Sequence, residues 1–200
     1  STAHAAPPTH THAPTHTHTH THTQRDLPAS PHHSRPDTTD VNPGLVAGRK
    51  LRSLGTALTA APKAQVMYLF DNELHSLEGL STRGLTHLYL QDNQLVATAE
   101  LGATLNTLTQ LQKLYISGNR LADLTPLCGL LSLEELHAGS QRGGGEVVLP
   151  PDLDRLGRLR VLSLPHNRLC EVKTLGGCRR LESLDLSLSL SLSLSLSLSL

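Results

Sequence analysis

The sequence predicts an α/β solenoid, with a parallel sheet on its concave face, short helical or 3-10 turns on its convex face, and disordered ends. Three observations carry that expectation. The segment "LTHLYLQDNQL", residues 85 to 95, places leucine at its first, fourth, sixth and eleventh positions and asparagine at its ninth. The same arrangement recurs along the chain, and self-similarity with a period between about 20 and 50 residues is the signature of stacked structural repeats. In each copy the two central aliphatic residues flank a single residue of another type. They therefore face one way and their neighbour the other, as in a strand with one buried face.

The copies can be followed in order. "AQVMYLFDNEL" supplies Met67, Leu69, Asn72 and Leu74, with Ala64 as a weak first residue. "LTHLYLQDNQL" follows, then "LQKLYISGNRL" with Leu111, Leu114, Ile116, Asn119 and Leu121. A decayed copy, "LEELHAGSQRG", keeps Leu133, Leu136 and Ala138 but has Gln141 in the asparagine slot. "LRVLSLPHNRL" restores Leu159, Leu162, Leu164, Asn167 and Leu169, and "LESLDL" begins a sixth with Leu181, Leu184 and Leu186. The ninth slots fall at 72, 93, 119, 141 and 167, at intervals of 21, 26, 22 and 26. This pattern resembles that of leucine-rich repeats.

The spacing has a physical reason. Leucines at slots one, four, six and eleven stack on their counterparts in the next repeat, and at about 2 kcal/mol per buried side chain they offset much of the ordering entropy of a repeat. Asparagine stands where the chain leaves the strand, and its amide can both donate to and accept from backbone groups that the sheet no longer serves. An unrelated amphipathic helix would not place asparagine at one fixed offset four times.

The two ends are different material. Residues 1–44 are rich in Thr, His, Pro and Ala, with "THTHTHTHT" from Thr15 to Thr23, and residues 187–200 alternate Ser and Leu. Neither carries helical periodicity or the repeat spacing, and both read as translated dinucleotide repeats. The expected organisation is therefore a disordered segment 1–44, a repeat domain 45–186 and a low-complexity tail 187–200. His16, His18, His20 and His22 would share a face of an extended chain and could hold Zn, Ni or Cu weakly. No cysteine or carboxylate completes a defined site there, so disorder outweighs metal binding, and no cofactor is expected. The Ser-Leu run is a period-two amphipath able to pair as an edge strand, to aggregate or to hang free. The first residue is Ser1 and the sole methionine is Met67, which reads as a fragment or an imperfect gene model.

Composition narrows the partner. Lys and Arg number 17, as do Asp and Glu, with no basic block, which argues against nucleic acid and an anionic membrane. No apolar run is long enough to span a bilayer. Cys128, Cys170 and Cys178 lack CxxC spacing and read as thiols in a reducing, cytoplasmic setting.

Function then falls to the residues that do not face the core. Between the two central aliphatic residues of each copy the outward column reads Tyr68, Tyr89, Tyr115, His137, Ser163 and Asp185, which takes in all three tyrosines. Phe70, the single phenylalanine, occupies the next outward slot of its copy. With strands about 4.8 Å apart these rings would form one aromatic stripe, flanked by Asp71, His87, Gln91, Asp92, Lys113 and Glu135. Tyrosine offers large contact area with few rotors and a polar tip, so the stripe is the expected protein-binding surface; the blander reading is that Tyr is simply a good strand former. Catalysis has little support. Gly143, Gly144 and Gly145 lack the lysine of a phosphate loop and read as a loop insertion, and His166 beside Asn167 has no nucleophile in support.

The 22-residue intervals, short turns such as "LADLTPLCGLLSLEEL" and absent cysteine caps resemble the SDS22-like class. "LTHLYLQDNQL", "LQKLYISGNRL" and "LEELHAGSQR" followed by "GGGEVVLPPDLDRLGRLRVLSLPHNRL" look like the protein phosphatase 1 regulatory subunit 42 family of testis leucine-rich-repeat proteins, over roughly residues 49–186. That resemblance implies a non-enzymatic cytoplasmic adaptor binding the phosphatase 1 catalytic subunit, or a scaffold at the centrosome, cilium or microtubules with tubulin or centrosomal partners. The chain departs from the common docking pattern of a basic residue, Val or Ile, any residue, then Phe or Trp; "KAQVMY" comes nearest and ends in Tyr68. The family continues through further repeats and a cap, whereas here the sixth copy runs into Ser-Leu with Ser189 in the asparagine slot, leaving an end expected to expose core leucine. Convex turns are expected around Leu77 to Leu80 and Leu124 to Leu130.

Overall fold

The computed structural model describes residues 46–55, 63–80, 82, 84–169, 172 and 175–189. The expected Thr/His segment 1–44, the Ser-Leu run beyond Ser189 and Cys170 lie outside the described residues. Among the described residues, six short strands form one sheet in sequence order: β1 (Val66–Tyr68), β2 (His87–Tyr89), β3 (Lys113–Tyr115), β4 (Glu135–His137), β5 (Val161–Ser163) and β6 (Ser183–Asp185). Every pairing is parallel. The register sets Met67, Leu88, Leu114, Leu136, Leu162 and Leu184 side by side, as the repeated slots require.

Those central residues point inward, and from Met67 to Leu162 they are completely buried. Leucines at the first, sixth and eleventh slots join them: Leu85, Leu90 and Leu95 in one repeat, Leu111, Ile116 and Leu121 in the next, all at 0 % exposure. The return segments supply a second wall through Leu77, Leu105, Leu127 and Leu153. One continuous apolar column results, in which each repeat rests only on its neighbours.

The returns differ because their lengths differ. Between Asn93 and Asn119 the longer interval accommodates α1 (Ala99–Asn106), whose Thr98 hydroxyl caps the amide of Leu101 at 3.1 Å and whose Leu101 and Leu105 lie one turn apart on the buried face. Other returns hold 3-10 turns: Thr125–Leu127, with Pro126 in its first turn, in a shorter interval, and Pro151–Arg155 in the second long one. The expectation around Leu124 to Leu130 is thereby met. Around Leu77 to Leu80 there is only a turn closed by Leu80 N–H to Leu77 O at 3.0 Å, because Gly79 at φ +87° takes a conformation that no right-handed helix uses. The other long interval, between Gln141 and Asn167, opens into a Gly143–Gly145 loop. It then rejoins the fold through isolated parallel bridges from Val147 to Leu169 and from Val148 to Asp123.

At the ninth slot Asn72, Asn93 and Asn119 close the same circuit, and Asn167 differs in accepting from Gln141 N–H. The Asn119 carbonyl accepts from Leu95 N–H at 3.1 Å, while its NH₂ donates to Leu90 O and Ile116 O, both at 2.9 Å. Asn93 repeats this with Leu74, Leu69 and Leu90. Gln141, one methylene longer, reproduces it in the decayed copy with Leu121 N–H, Ile116 O and Ala138 O at 3.0 to 3.1 Å. Ser189 is 1 % exposed in the same slot, where its hydroxyl takes the Asn167 amide at 3.2 Å and gives its proton to Leu164 O.

The slot before it is left-handed in every repeat. Asp71, Asp92, Gly118, Ser140, His166 and Leu188 have φ between +53° and +70°. Asp and Gly tolerate this conformation; a leucine there is strained.

The two ends of the sheet differ. Residues 46–51 form half a repeat over β1, with Val46 N–H donating to Tyr68 O at 2.9 Å and Leu51 N–H to the Asn72 carbonyl at 3.1 Å. At the other end Leu181, Leu184 and Leu186 remain only partly buried, and Leu188 is 79 % exposed. Cys128 and Cys178 are buried free thiols, and burial pushes the Cys128 thiol up to about 11, out of the reactive range.

Candidate protein-binding surface

The outward column is a stack of rings. Tyr68 and Tyr89 lie 4.8 Å apart between ring centroids at 20° between planes, Tyr89 and Tyr115 4.7 Å at 8°, and Tyr115 and His137 4.5 Å at 4°. The spacing is that of adjacent strands, so the register places the rings directly over one another. Each such pair is worth about 0.5–1.5 kcal/mol beyond its burial. Phe70 meets Tyr68 edge-on, 6.4 Å away at 88°. Because the stacked rings cover one another's faces, an approaching molecule meets mainly ring edges and polar tips.

The polar flank is more tightly knit than sequence alone indicates. Lys113 Nζ pairs with Glu135 at 2.8 Å, and the Tyr115 hydroxyl donates to the same carboxylate at 3.2 Å. Burial tends to raise the Glu135 carboxyl, but the Lys113 ammonium and the Tyr115 hydroxyl hold it below its ordinary value. Burial, with the neighbouring Glu135 charge adding to it, drives the Tyr115 phenol far above 10. Tyr89 is likewise raised, by burial and then by Tyr68. The His137 imidazole is lowered by burial, against the opposing pull of Glu135. At neutral pH the column is therefore a row of uncharged rings beside one compact ion pair.

His87 Nδ1 lies 2.8 Å from the Thr86 hydroxyl, whose own proton goes to Gln65 O at 2.9 Å. The imidazole must then carry its proton on Nδ1 to donate. Gln91 has a buried side-chain carbonyl with no hydrogen-bond partner among the described residues. Asp71 is exposed and its amide is held by Gln91 O at 2.9 Å. Asp92 is not an independent contact, because it is ion-paired with Arg142, two repeats further on. That reach is possible because Gly118 stands between them: a Cβ there would meet Asp92 Oδ1 at 2.3 Å and Arg142 Nη2 at 3.3 Å.

The structure thus places Tyr68, Tyr89, Tyr115 and His137 in one stack with Phe70 against its first ring, and gathers Lys113 and Glu135 beside its far end. Arg142 was missed because its partner lies 50 residues away and nothing in the local spacing signals it. Beyond His137 the column turns polar, with the Ser163 hydroxyl donating to Asp185 at 3.4 Å. Among the described residues no cluster of three or more His, Cys, Asp or Glu is placed to hold a metal ion, and no helix is long and apolar enough to cross a membrane.

Comparison with known proteins agrees with this geometry. The Leucine Rich Repeat family pattern matches residues 110–133. No curated protein matches the chain. Among solved structures, the chain is similar to a leucine-rich-repeat protein of Leptospira interrogans at 24 % identity and a TM-score of 0.64, covering 74 % of this chain and 38 % of that one. It is similar to the functional domain of InlJ from Listeria monocytogenes at 17 % identity and a TM-score of 0.54, covering 66 % and 27 %. A Listeria monocytogenes internalin, InlF, matches at 20 % identity and a TM-score of 0.53, covering 64 % and 36 %. Likeness at these identities shows the fold, and the chain spans less than two-fifths of the length of each structure.

Proposed function

We propose that this leucine-rich-repeat protein is a non-catalytic adaptor that binds a protein partner on the open face of its sheet, and that the partner is the catalytic subunit of protein phosphatase 1. The observation that carries the surface is the stack from Tyr68 to His137: rigid, uncharged at neutral pH and presenting edges and polar tips, the chemistry favoured at the centre of protein interfaces. The choice of partner rests on the resemblance over residues 49–186 alone.

The rival reading is a scaffold at the centrosome, cilium or microtubules that never touches a phosphatase. It is favoured by the missing docking motif, since the nearest stretch, Lys63 to Tyr68, ends within β1 and is committed to the sheet. Capture of the phosphatase catalytic subunit by wild type and by the Tyr68→Ala/Tyr89→Ala/Tyr115→Ala triple variant separates the two. The adaptor reading expects capture by wild type and its loss in the variant. No capture by wild type supports the scaffold, and undiminished capture by the variant rejects this surface. The corresponding triple Phe variant keeps the rings and controls for folding.

A further inference from the structure

A second concavity lies away from the ring stack, at the ends of the strands where the chain enters β5 and β6. It has a volume of about 560 Å³ and is lined by Arg158, Arg160, Arg179, Arg180, Glu134 and Glu182. Four guanidinium groups face two carboxylates there, in a chain whose formal net charge is zero. Arg160 and Glu182 neutralise each other through a two-pronged pair, both contacts at 2.9 Å. Arg158, Arg179 and Arg180 make no ion pair among the described residues.

Repeat register explains why the charge gathers here. Arg158 and Arg180 each stand one residue before the first leucine slot of their repeats, Leu159 and Leu181, so the stacking of β5 on β6 brings them alongside. The equivalent residues in the second, third and fourth repeats are Gly84, Gln110 and Ser132, all neutral; the first repeat has Lys63, far from β5 and β6 in the strand order. Arg179 joins them in the tight turn closed by Leu181 N–H to Cys178 O at 2.9 Å. The fold thus holds three unneutralised guanidinium groups together against their mutual repulsion.

We infer that this concavity binds an acidic segment of a protein partner. The guanidinium fork matches carboxylate geometry, and the Arg160–Glu182 pair already displays that match inside the site. The volume is that of a pocket for several side chains rather than for one small ion. A nucleic-acid strand fits less well, because no aromatic ring lines the hollow to stack a base and two carboxylates face the incoming phosphates. Glu134, which no ion pair neutralises among the described residues, acts as a built-in competitor for the arginines.

The test is binding of a fluorescent hexaglutamate peptide to the full chain, followed by anisotropy at low and high salt. Wild type binds, and added salt weakens the complex. The Arg158→Ala/Arg179→Ala/Arg180→Ala variant loses about tenfold or more in affinity. Glu134→Gln gains about two- to fivefold, an increase that misfolding cannot imitate. Unchanged affinity in the triple variant overturns the inference, as does no gain with Glu134→Gln. Equal binding of hexalysine, or of a single-stranded oligonucleotide of the same charge, overturns it as well.

Discussion

The third repeat and the sixth share a plan and differ in completeness. In the third, Leu114 is wholly buried between two neighbours and Asn119 closes its circuit of hydrogen bonds. In the sixth, among the described residues, Leu184 has a strand neighbour on one side only and stays partly exposed, Ser189 replaces the asparagine, and Leu188 occupies the left-handed slot. A solenoid repeat takes its stability from both flanks, so the same residue in the same slot is worth less at an end. The half-repeat at residues 46–51 gives β1 a second flank, which β6 does not have among the described residues.

The largest expected effect tests that asymmetry. Leu114→Ala should destabilise the fold by about 2–5 kcal/mol, the range for a buried leucine truncated in a packed core. Leu184→Ala should cost well under half as much in the same urea titration. Equal losses would mean that the last repeat is as fully packed as the third. Asn119→Ala comes next: it strands Leu95 N–H, at about 1–3 kcal/mol for a group left buried without a partner, and takes one of two side-chain donors from Leu90 O and from Ile116 O, which keep Asn93 and Gln141. Ser189→Ala removes a shorter circuit and should cost less, although both residues are buried.

A smaller effect runs the other way. Leu188→Gly should stabilise the sixth repeat by up to about 1 kcal/mol, because glycine adopts φ +53° without strain. Asp92→Gly, at φ +55°, also relieves the backbone but breaks the ion pair with Arg142, so thermal melting should show less gain or a loss there.

The smallest effect is on pH. His137 is held below its ordinary 6.5 by burial, so folding favours the neutral ring; its contribution is present above 6.5 and is lost as pH falls below that value. Glu135, held below its ordinary 4.5, adds a second loss as pH falls further through its lowered folded value. Tyr89 and Tyr115, raised above 10, contribute below 10 and lose that contribution as pH rises beyond it. Thermal stability should therefore be flat between about pH 7 and 9 and fall on both sides. His137→Phe should shift the upper edge of the acid loss toward lower pH, and an unshifted edge would assign that loss elsewhere.

How much of this was legible in the sequence follows from where each signal resides. Slots one, four, six, nine and eleven are marked by residue type, so the sheet, its register and the ring column could be placed from leucines, asparagines and tyrosines. Gln141 remained readable as a degenerate copy because one added methylene leaves its amide chemistry intact. The left-handed slot was invisible because Asp71, Asp92, Gly118, Ser140, His166 and Leu188 share a backbone angle and no side-chain property. Helix α1 hid in the 26-residue interval, since Leu101 and Leu105 also suit an ordinary return segment. The half-repeat at 46–51 lacks both the strand leucines and the asparagine, leaving only Val46 and Leu51 to mark it. The Asp92–Arg142 pair depends on a glycine between its partners, a relation that appears only once repeats are stacked.

Hydroxyl-radical footprinting with and without the phosphatase catalytic subunit tests the binding surface most directly, because tyrosine is readily labelled and Leu188, 79 % exposed on the last repeat, serves as an internal control. The account predicts that adding the partner lowers labelling of Tyr68, Tyr89 and Tyr115 and leaves Leu188 unchanged. Unaltered tyrosine labelling, with protection appearing elsewhere on the chain, would contradict it.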